Sequence, residues 1–285
     1  MARDELIRYS ILDPTGNITA LVESPVEVRR QPEAAAALME RHREVEQVGF
    51  VTFPDSPNDP LQGVLRMAGG EFCGNASMCA AALYLLRRKP REPAPGWADA
   101  PVTVRLRVSG AAEPVEVRLR QEPDGSFRAG VKMPPALGIA ETVLAFEDAN
   151  GPLPAVMMEG ISHIIIGPGS PFWNLQKDRT AAEEAVRAWC GTLGADGLGL
   201  MFLDADQGRL TPLVYIPGSG TVFWENSCAS GTSAAGMYLA ARSGAPVDLR
   251  LAEPGGSLRV ISDPARGETW LRGRVRLLER YCEEE

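Results

Sequence analysis

Histidine is scarce in this sequence of 285 residues, which contains only His42 and His163. A metal site built from several histidines is therefore excluded. A Ser-His-Asp triad is possible only if it uses one of these two residues.

The sequence also lacks the cysteine pattern of a disulfide framework or a zinc knuckle. No Cys-x-x-Cys is present, the number of cysteines is odd, and the spacings are wide. The five residues are Cys73, Cys79, Cys190, Cys228 and Cys282. Each is therefore expected to be either a small buried apolar residue or a reactive thiol.

Basic residues are outnumbered, with 29 Lys and Arg against 37 Asp and Glu and a formal net charge of −8. Nucleic acid is therefore not an expected partner. No apolar run approaches the about 20 residues of a membrane span, and Met1–Glu5 lacks the apolar segment of a secretion signal. We expect a cytoplasmic protein without membrane contacts.

A faint repeat divides the chain into two halves. The segments Glu71–Ser77 and Asn226–Thr232 each contain a cysteine followed by small residues, and each precedes an alanine-rich stretch. These stretches, 76–88 and 229–242, are predicted helices because they contain strong helix formers and no proline. Alternating strand patterns surround both. The pattern predicts an α+β fold of two related lobes, one comprising residues 1–122 and 272–285 and the other residues 123–271.

The two repeated cysteines, Cys73 and Cys228, are predicted to lie at helix starts. Free backbone N–H groups and the helix dipole favour a thiolate there over a thiol. The same N–H groups can bind a substrate carboxylate. If the lobes face each other, one cysteine can remove an α-proton while the other returns a proton to the opposite face. This chemistry needs no cofactor and no metal. The other cysteines are predicted to be buried apolar residues.

At these residues the sequence resembles the diaminopimelate epimerase-like superfamily of cofactor-independent amino-acid racemases and epimerases. The similarity covers nearly the whole chain. The residues that carry it are the turn ending at Asn17, the pair Glu46-Gln47, and the segments Glu71–Ala76, Trp224–Thr232 and Glu253–Leu258. The resemblance implies two pseudo-symmetric lobes, each a curled β-sheet or barrel around a central α-helix, with one catalytic cysteine per lobe. It also implies a homodimer.

Within the superfamily, the sequence is most similar to the histidine racemases of staphylopine-type metallophore biosynthesis. Shared features include Gly49-Phe50 after the Glu-Gln pair and Tyr215–Pro217 before the second cysteine. Diaminopimelate epimerase has a Glu-Arg pair where this chain has Ser219-Gly220, so the guanidinium that grips the distal end of its substrate is missing. The resemblance implies conversion of L-histidine to D-histidine for an opine-type metallophore.

The same resemblance implies roles for residues around the two cysteines. Asn17 and Gln47 match positions that contact substrate, although Asn17 is also a typical turn residue. Glu46 and Glu225 could accept hydrogen bonds from the substrate, or could be a solvent-facing charge and a partner of the helix dipole, respectively. Backbone donors to the substrate carboxylate are expected from the residues that follow each cysteine: Gly74, Asn75, Ser230 and Gly231. Ala229 stands where a glycine is usual, which narrows the substrate site there.

Two other functions fit the same residues. The protein could be a diaminopimelate epimerase or a racemase of another amino acid. It could also be a non-catalytic amino-acid-binding protein, which keeps the binding site without the chemistry. Activated thiols alkylate quickly at neutral pH and are protected by ligand, whereas a binding protein has no need of them.

Overall fold

The computed structural model of the protein describes residues 7–56, 58–88, 101–218 and 220–281. Met1–Glu5, Ser219 and Cys282 lie outside this part of the chain.

The chain forms two compact units. The first comprises Met1–Lys132 and Arg272–Glu285, and the second comprises Met133–Leu271. In this division, as in the one expected from the sequence, the chain returns to the first unit at residue 272. They differ over residues 123–132, which the structure places in the first unit.

The first unit contains a closed eight-stranded barrel. Its strands are β1 (Tyr9–Asp13), β2 (Thr19–Val22), β3 (Gln47–Thr52), β4 (Gly63–Met67), β5 (Val102–Val108), β6 (Val115–Gln121), β7 (Phe127–Met133) and the chain's last strand, β16 (Glu268–Tyr281). They are hydrogen-bonded in that order, and β16 closes the barrel by pairing antiparallel with β1. The β2–β3 and β4–β5 pairs are parallel.

Among its described residues, the first unit contains two α-helices, α1 (Gln31–Arg41) and α2 (Gly74–Arg87). Every residue of α2 from Gly74 to Leu85 is buried, and the helix packs against β2 to β6. A helix that is apolar on all sides must be surrounded by protein, so α2 runs through the barrel. The predicted helix at 76–88 is confirmed, and it starts two residues earlier.

The second unit is a mixed sheet. Its strands are β8 (Gly138–Phe146), β9 (Ala149–Met158), β10 (Ile161–Ile166), β11 (Leu198–Asp204), β12 (Arg209–Ile216), β13 (Thr221–Trp224), β14 (Val247–Glu253) and β15 (Gly256–Asp263). The order across the sheet is β15-β14-β12-β11-β10-β9-β8, and β13 pairs with β12. Strand β16 begins in this unit and ends in the first.

Two crossover helices cover the second sheet. Helix α3 (Arg179–Leu193) joins the parallel strands β10 and β11, and α4 (Ala229–Ser243) lies between β13 and β14. Successive side chains of a strand point to opposite faces. Ile164, Leu200 and Phe202 accordingly join the core that contains the α3 residue Trp189, whereas β14 and β15 pack against α4. The molecule is thus an α+β protein with four α-helices among its described residues.

Gly236 allows α4 to approach β15. A Cβ built at this position would overlap Val260 Cγ2 and lie 2.9 Å from Val260 Cγ1. Valine is stiff about χ1 and cannot move aside easily. Gly236→Ala is therefore expected to lower the free energy of unfolding by about 1–3 kcal/mol, although alanine is the better helix former. Urea denaturation measures this change.

Gly191 in α3 provides the matched control, because a Cβ there meets nothing within 4 Å. Gly191→Ala is expected to raise stability by about 0.5–1 kcal/mol. Equal effects of the two substitutions would contradict the close packing of α4 on β15.

Candidate active site

Cys73 is the N-cap residue of α2. Its backbone is extended, with φ −131° and ψ 112°, and the Ala76 amide donates to Cys73 Sγ at 3.4 Å. The Ser77 hydroxyl donates to the Cys73 carbonyl oxygen at 2.7 Å. Cys73 is half-buried. The thiol therefore lies at the helix start that the sequence predicts, with a backbone N–H group directed at its sulfur.

A turn at Ser109-Gly110 fixes the segment that leads to Cys73. The Ser109 hydroxyl donates to the Glu71 carbonyl oxygen at 2.8 Å and accepts from the Met67 amide at 2.9 Å. Gly110 has a positive φ of 68°, and a Cβ there would overlap the Phe72 backbone nitrogen. Both features hold the chain in place immediately before the cysteine.

Asn17 and Glu46 are directly bonded in the first unit. Asn17 is 1% exposed, and its Nδ2 donates to Glu46 Oε2 at 2.9 Å. The Glu46 and Gln47 amides both donate to the Ile18 carbonyl oxygen, at 2.8 and 3.2 Å. Glu46 and Gln47 are half-buried. The structure thus brings together the turn residue Asn17 and Glu46, which the sequence marks as separate candidates.

Cys228 is the N-cap residue of α4 and repeats the arrangement at Cys73. Its backbone is extended, with φ −116° and ψ 105°, and the Gly231 amide donates to Cys228 Sγ at 3.3 Å. The Ser230 hydroxyl lies 3.6 Å from the sulfur. Cys228 is 3% exposed. The Gly231 amide, expected from the sequence to bind a carboxylate, is directed at the sulfur.

The environment of Cys228 favours the thiol over the thiolate. Burial raises the pKa of Cys228 well above its usual value, and the negative charge of Glu225 raises it further. Glu225 is half-buried, three residues before the cysteine. It acts on the sulfur through its charge and through a side-chain hydrogen bond, and both raise the pKa of Cys228.

Glu253, at the end of β14, also contacts the start of α4. Its Oε2 accepts from the Cys228 amide at 2.7 Å, and its Oε1 accepts from the Thr232 hydroxyl at 2.6 Å. Burial raises the pKa of Glu253 to about 8. The sequence alone assigns no role to Glu253. A signal was present, because Glu253 occupies an inward position of an alternating strand, where an apolar residue is expected.

Met201 packs against the other side of this helix start. A Cβ at Gly231 would overlap Met201 Sδ and lie 3.1 Å from Cys228 Sγ. Met201 also contacts Gly199, over which the ring of His163 lies. His163 is fully buried, and neither ring nitrogen has a hydrogen-bond partner among the described residues. Burial lowers the pKa of His163 to about 3, so this histidine is neutral.

The remaining candidates lie in the first turns of the two helices. Gly74 and Asn75 are buried in α2, Ala229 is buried in α4, and Ser230 is half-buried beside it. Amides of the first helical turn have no acceptor within the helix. Cys79 and Cys190 are almost fully buried, which confirms their prediction as apolar residues.

Neither a metal site nor a membrane helix is found in the described ranges. Histidine, cysteine and carboxylate side chains do not gather there in groups of three or more that could hold a metal ion. None of the helices in these ranges has the length and hydropathy to cross a membrane.

Comparison with known proteins gives consistent results. A family model described as "Histidine racemase CntK N-terminal domain" matches residues 6–277. A histidine racemase from Fusobacterium nucleatum is 30% identical over 242 residues, which cover 82% of this chain and 81% of that protein. A histidine racemase from Staphylococcus aureus is 29% identical over 282 residues, which cover 95% of both chains.

A solved structure shows the same fold. The hydroxyproline epimerase from Agrobacterium vitis aligns with a TM-score of 0.67 over 99% of this chain and 93% of that one. The sequence identity is 13%, so the fold is similar although most side chains differ.

Proposed function

Because the chain belongs to the histidine racemase family, we propose that it interconverts L- and D-histidine with Cys73 and Cys228 as the two bases. Family membership makes the protein an isomerase of the racemase and epimerase class. One observation carries the assignment of the bases. Each cysteine caps a helix, and each sulfur accepts an N–H bond from the residue three positions later.

The proposed reaction begins with the substrate carboxylate at a helix start. The amides of Gly74 and Asn75 in α2, or of Ala229 and Ser230 in α4, would donate to it. Each α-helix presents the positive end of its dipole at its own cysteine, which favours a bound anion and the additional charge that develops as the α-proton leaves.

Proton transfer then inverts the α-carbon. One cysteine, as thiolate, takes the α-proton and becomes a thiol. The other, as thiol, gives its proton to the opposite face of the α-carbon and becomes a thiolate. One C–H bond breaks and one forms, no electron is transferred, and no cofactor takes part. The enzyme ends with the two protonation states exchanged, ready for the opposite enantiomer.

We propose that Cys228 is the thiol in the free enzyme. Its burial and the nearby charge of Glu225 raise the pKa of Cys228. Cys73 is more exposed and accepts an amide N–H bond, which is an environment that stabilises a thiolate. The resting enzyme would therefore hold its one thiolate on Cys73.

Substrate recognition in the first unit is assigned to Asn17, Glu46 and Gln47. The Asn17 amide holds the Glu46 carboxylate by one oxygen. A carboxylate can accept hydrogen bonds from several donors at once, including an ammonium or an imidazole N–H. Histidine carries both of these donors, so an acidic residue suits its recognition.

Proton exchange tests the function. Purified protein in heavy water with fresh reductant and no added cofactor is expected to convert L-histidine to D-histidine with loss of the α-proton NMR signal. With two bases, the product carries solvent deuterium early, while the remaining L-histidine keeps its proton. Exchange with diaminopimelate alone would retain the mechanism and overturn the substrate. No exchange with any amino acid, together with slow alkylation of both thiols, would favour a binding protein.

The finer fold assignment is part of the same proposal. We propose a diaminopimelate epimerase-like fold, in which each unit is one of two related lobes organised around its cysteine-capped helix. Supporting this, α2 is buried within its barrel and α4 packs on β14 and β15.

We also propose a cytoplasmic homodimer that supplies D-histidine for a metallophore. Catalytic thiols persist best in a reducing compartment, which supports the cytoplasmic location. The motif similarity to metallophore-pathway racemases supports the use of D-histidine in a metallophore. Light scattering on the purified protein tests the dimer. A single species of 30.7 kDa would contradict it.

A further inference from the structure

The carboxyl group of Glu253 joins two residues of α4 that flank its first turn. It accepts from the Cys228 amide and from the Thr232 hydroxyl, at 2.7 and 2.6 Å. The Thr232 amide in turn donates to the Cys228 carbonyl oxygen at 2.9 Å. One side chain of β14 thus fixes both ends of the turn that carries the second base.

This contact determines where the sulfur of Cys228 lies. The amide of an N-cap residue is outside the hydrogen-bond ladder of its helix, and a buried amide needs an acceptor. Glu253 provides that acceptor and so holds Cys228 in its extended conformation, with Sγ at 3.3 Å from the Gly231 amide. Without the acceptor, the cysteine would be free to rotate away from the helix axis.

We propose that Glu253 is a positioning residue for Cys228. Glu253 places the Cys228 sulfur and, through its own charge, sets the pH at which the Cys228 thiol ionises. The inference rests on the proposed function in that Cys228 is one of the two bases. It goes beyond that function by assigning a role to a residue that is bonded to the backbone amide of Cys228 and not to its sulfur.

The groups that face Glu253 support the proposal that its charge controls the ionisation of Cys228. Glu225 and Cys228 are the ionisable groups that approach it from the segment leading into α4. On β15 its register partner is Gly256. On β12, Arg209 pairs with Ala252, whose side chain points to the opposite face from that of Glu253.

Both protonation states of Glu253 can keep the two bonds. The neutral carboxyl can donate from Oε1 to Thr232 Oγ1 while Oε2 still accepts from the Cys228 amide. Because the pKa of Glu253 is about 8, its neutral carboxyl form predominates at neutral pH. Above that pH a buried negative charge appears beside Cys228 and opposes formation of its thiolate.

Glu253→Gln tests the proposal, because glutamine keeps an acceptor for the Cys228 amide and cannot ionise. Iodoacetamide labelling followed by peptide mass spectrometry measures the ionisation of Cys228 without any substrate. The midpoint of its pH dependence is expected to fall by on the order of one pH unit in the variant. The alkaline limb of kcat/KM is expected to move in the same direction. A midpoint that is unchanged or higher would overturn the proposal.

Two further variants separate positioning from charge. Glu253→Leu removes the acceptor, and its kcat is expected to fall about tenfold to a hundredfold at all pH values, because small displacements of a catalytic group are costly. Thr232→Val removes a hydrogen bond that lowers the pKa of Glu253, so more of Glu253 stays neutral at a given pH. The Cys228 midpoint is therefore expected to fall as in Glu253→Gln, but by less. This variant keeps the test open if Glu253→Gln does not fold.

The control is Asp248→Asn, an acid-to-amide change on the same strand. Asp248 is exposed and pairs with Arg259, and the change is expected to leave the midpoint and kcat/KM as in wild type. The outcomes distinguish the two proposals. A shifted midpoint in a protein that racemises no amino acid would refute the proposed function alone. An unshifted midpoint in an active racemase would refute the role of Glu253 alone.

Discussion

Replacement of Cys73 or Cys228 by serine is expected to lower the rate of histidine racemisation about a thousandfold or more. Both sulfurs occupy helix N-caps, and each accepts one backbone N–H bond. Serine preserves this cap, so the fold should survive. A hydroxyl is a far weaker acid than a thiol, however, and cannot serve as a base at neutral pH. Chiral chromatography of the product measures the loss, and circular dichroism verifies the fold.

Two further cysteines, one in each unit, provide the controls. Cys79 lies in α2 and Cys190 in α3, both almost fully buried. Burial raises the pKa of Cys79 well above its usual value, which keeps it a thiol. Cys79→Ala and Cys190→Ala are therefore expected to retain most activity. If Cys73→Ser or Cys228→Ser remained within tenfold of wild type, the assignment of the two bases would be wrong.

The helices that carry these cysteines can be predicted because their signals are local. Alanine-rich runs without proline determine α2 and α4, and the repeated cysteine with small residues behind it determines their N-caps. The structure starts them at Gly74 and Ala229. Local sequence therefore predicts the most important part of the site.

Features that depend on distant contacts could not be predicted in this way. The barrel closes where β1 pairs with β16, for example at Tyr9 and Tyr281, and no local pattern determines a register between the two ends of a chain. The hairpin of β8 and β9 is also difficult to predict from the sequence, because Pro152 and Pro154 interrupt the strand pattern of β9.

The position of Glu253 illustrates the same limit within the site. An acidic residue in a strand is usually solvent-exposed. Its partner, the Cys228 amide, is 25 positions away in sequence. Only the packing of α4 on β14 brings the two together. The sequence could indicate an unusual inward carboxyl group, but not which base it holds.

His163 is expected to make the second unit sensitive to acid. Its pKa is about 3 in the folded protein because of burial, against 6.5 for the exposed side chain. As the pH falls below 6.5, the unfolded state takes up a proton that the folded state cannot, so the free energy of unfolding decreases. The contribution is fully present above pH 6.5. About 2–3 kcal/mol of it should be lost by pH 4.5.

His163→Leu is expected to remove this acid sensitivity. Because neither ring nitrogen has a partner among the described residues, an apolar side chain of similar size sacrifices no hydrogen bond. Urea denaturation followed by tryptophan fluorescence reports mainly on the second unit, which contains four of the five tryptophans: Trp173, Trp189, Trp224 and Trp270. The variant should match or exceed wild-type stability at neutral pH. Its advantage should grow as the pH falls to 4.5.

Comparing wild type with His163→Leu separates the effect of His163 on stability from that of Glu253, whose contribution changes with pH in the opposite direction. The raised pKa of Glu253 contributes stability that is fully present below pH 4.5 and is lost as the pH rises through about 8. This loss is common to wild type and His163→Leu, so it cancels in their difference. His42, half-buried and bonded to the Tyr9 hydroxyl at 2.9 Å, supplies the control. If His42→Gln flattened the acid limb and His163→Leu did not, the acid sensitivity would not originate in the buried ring beneath α4.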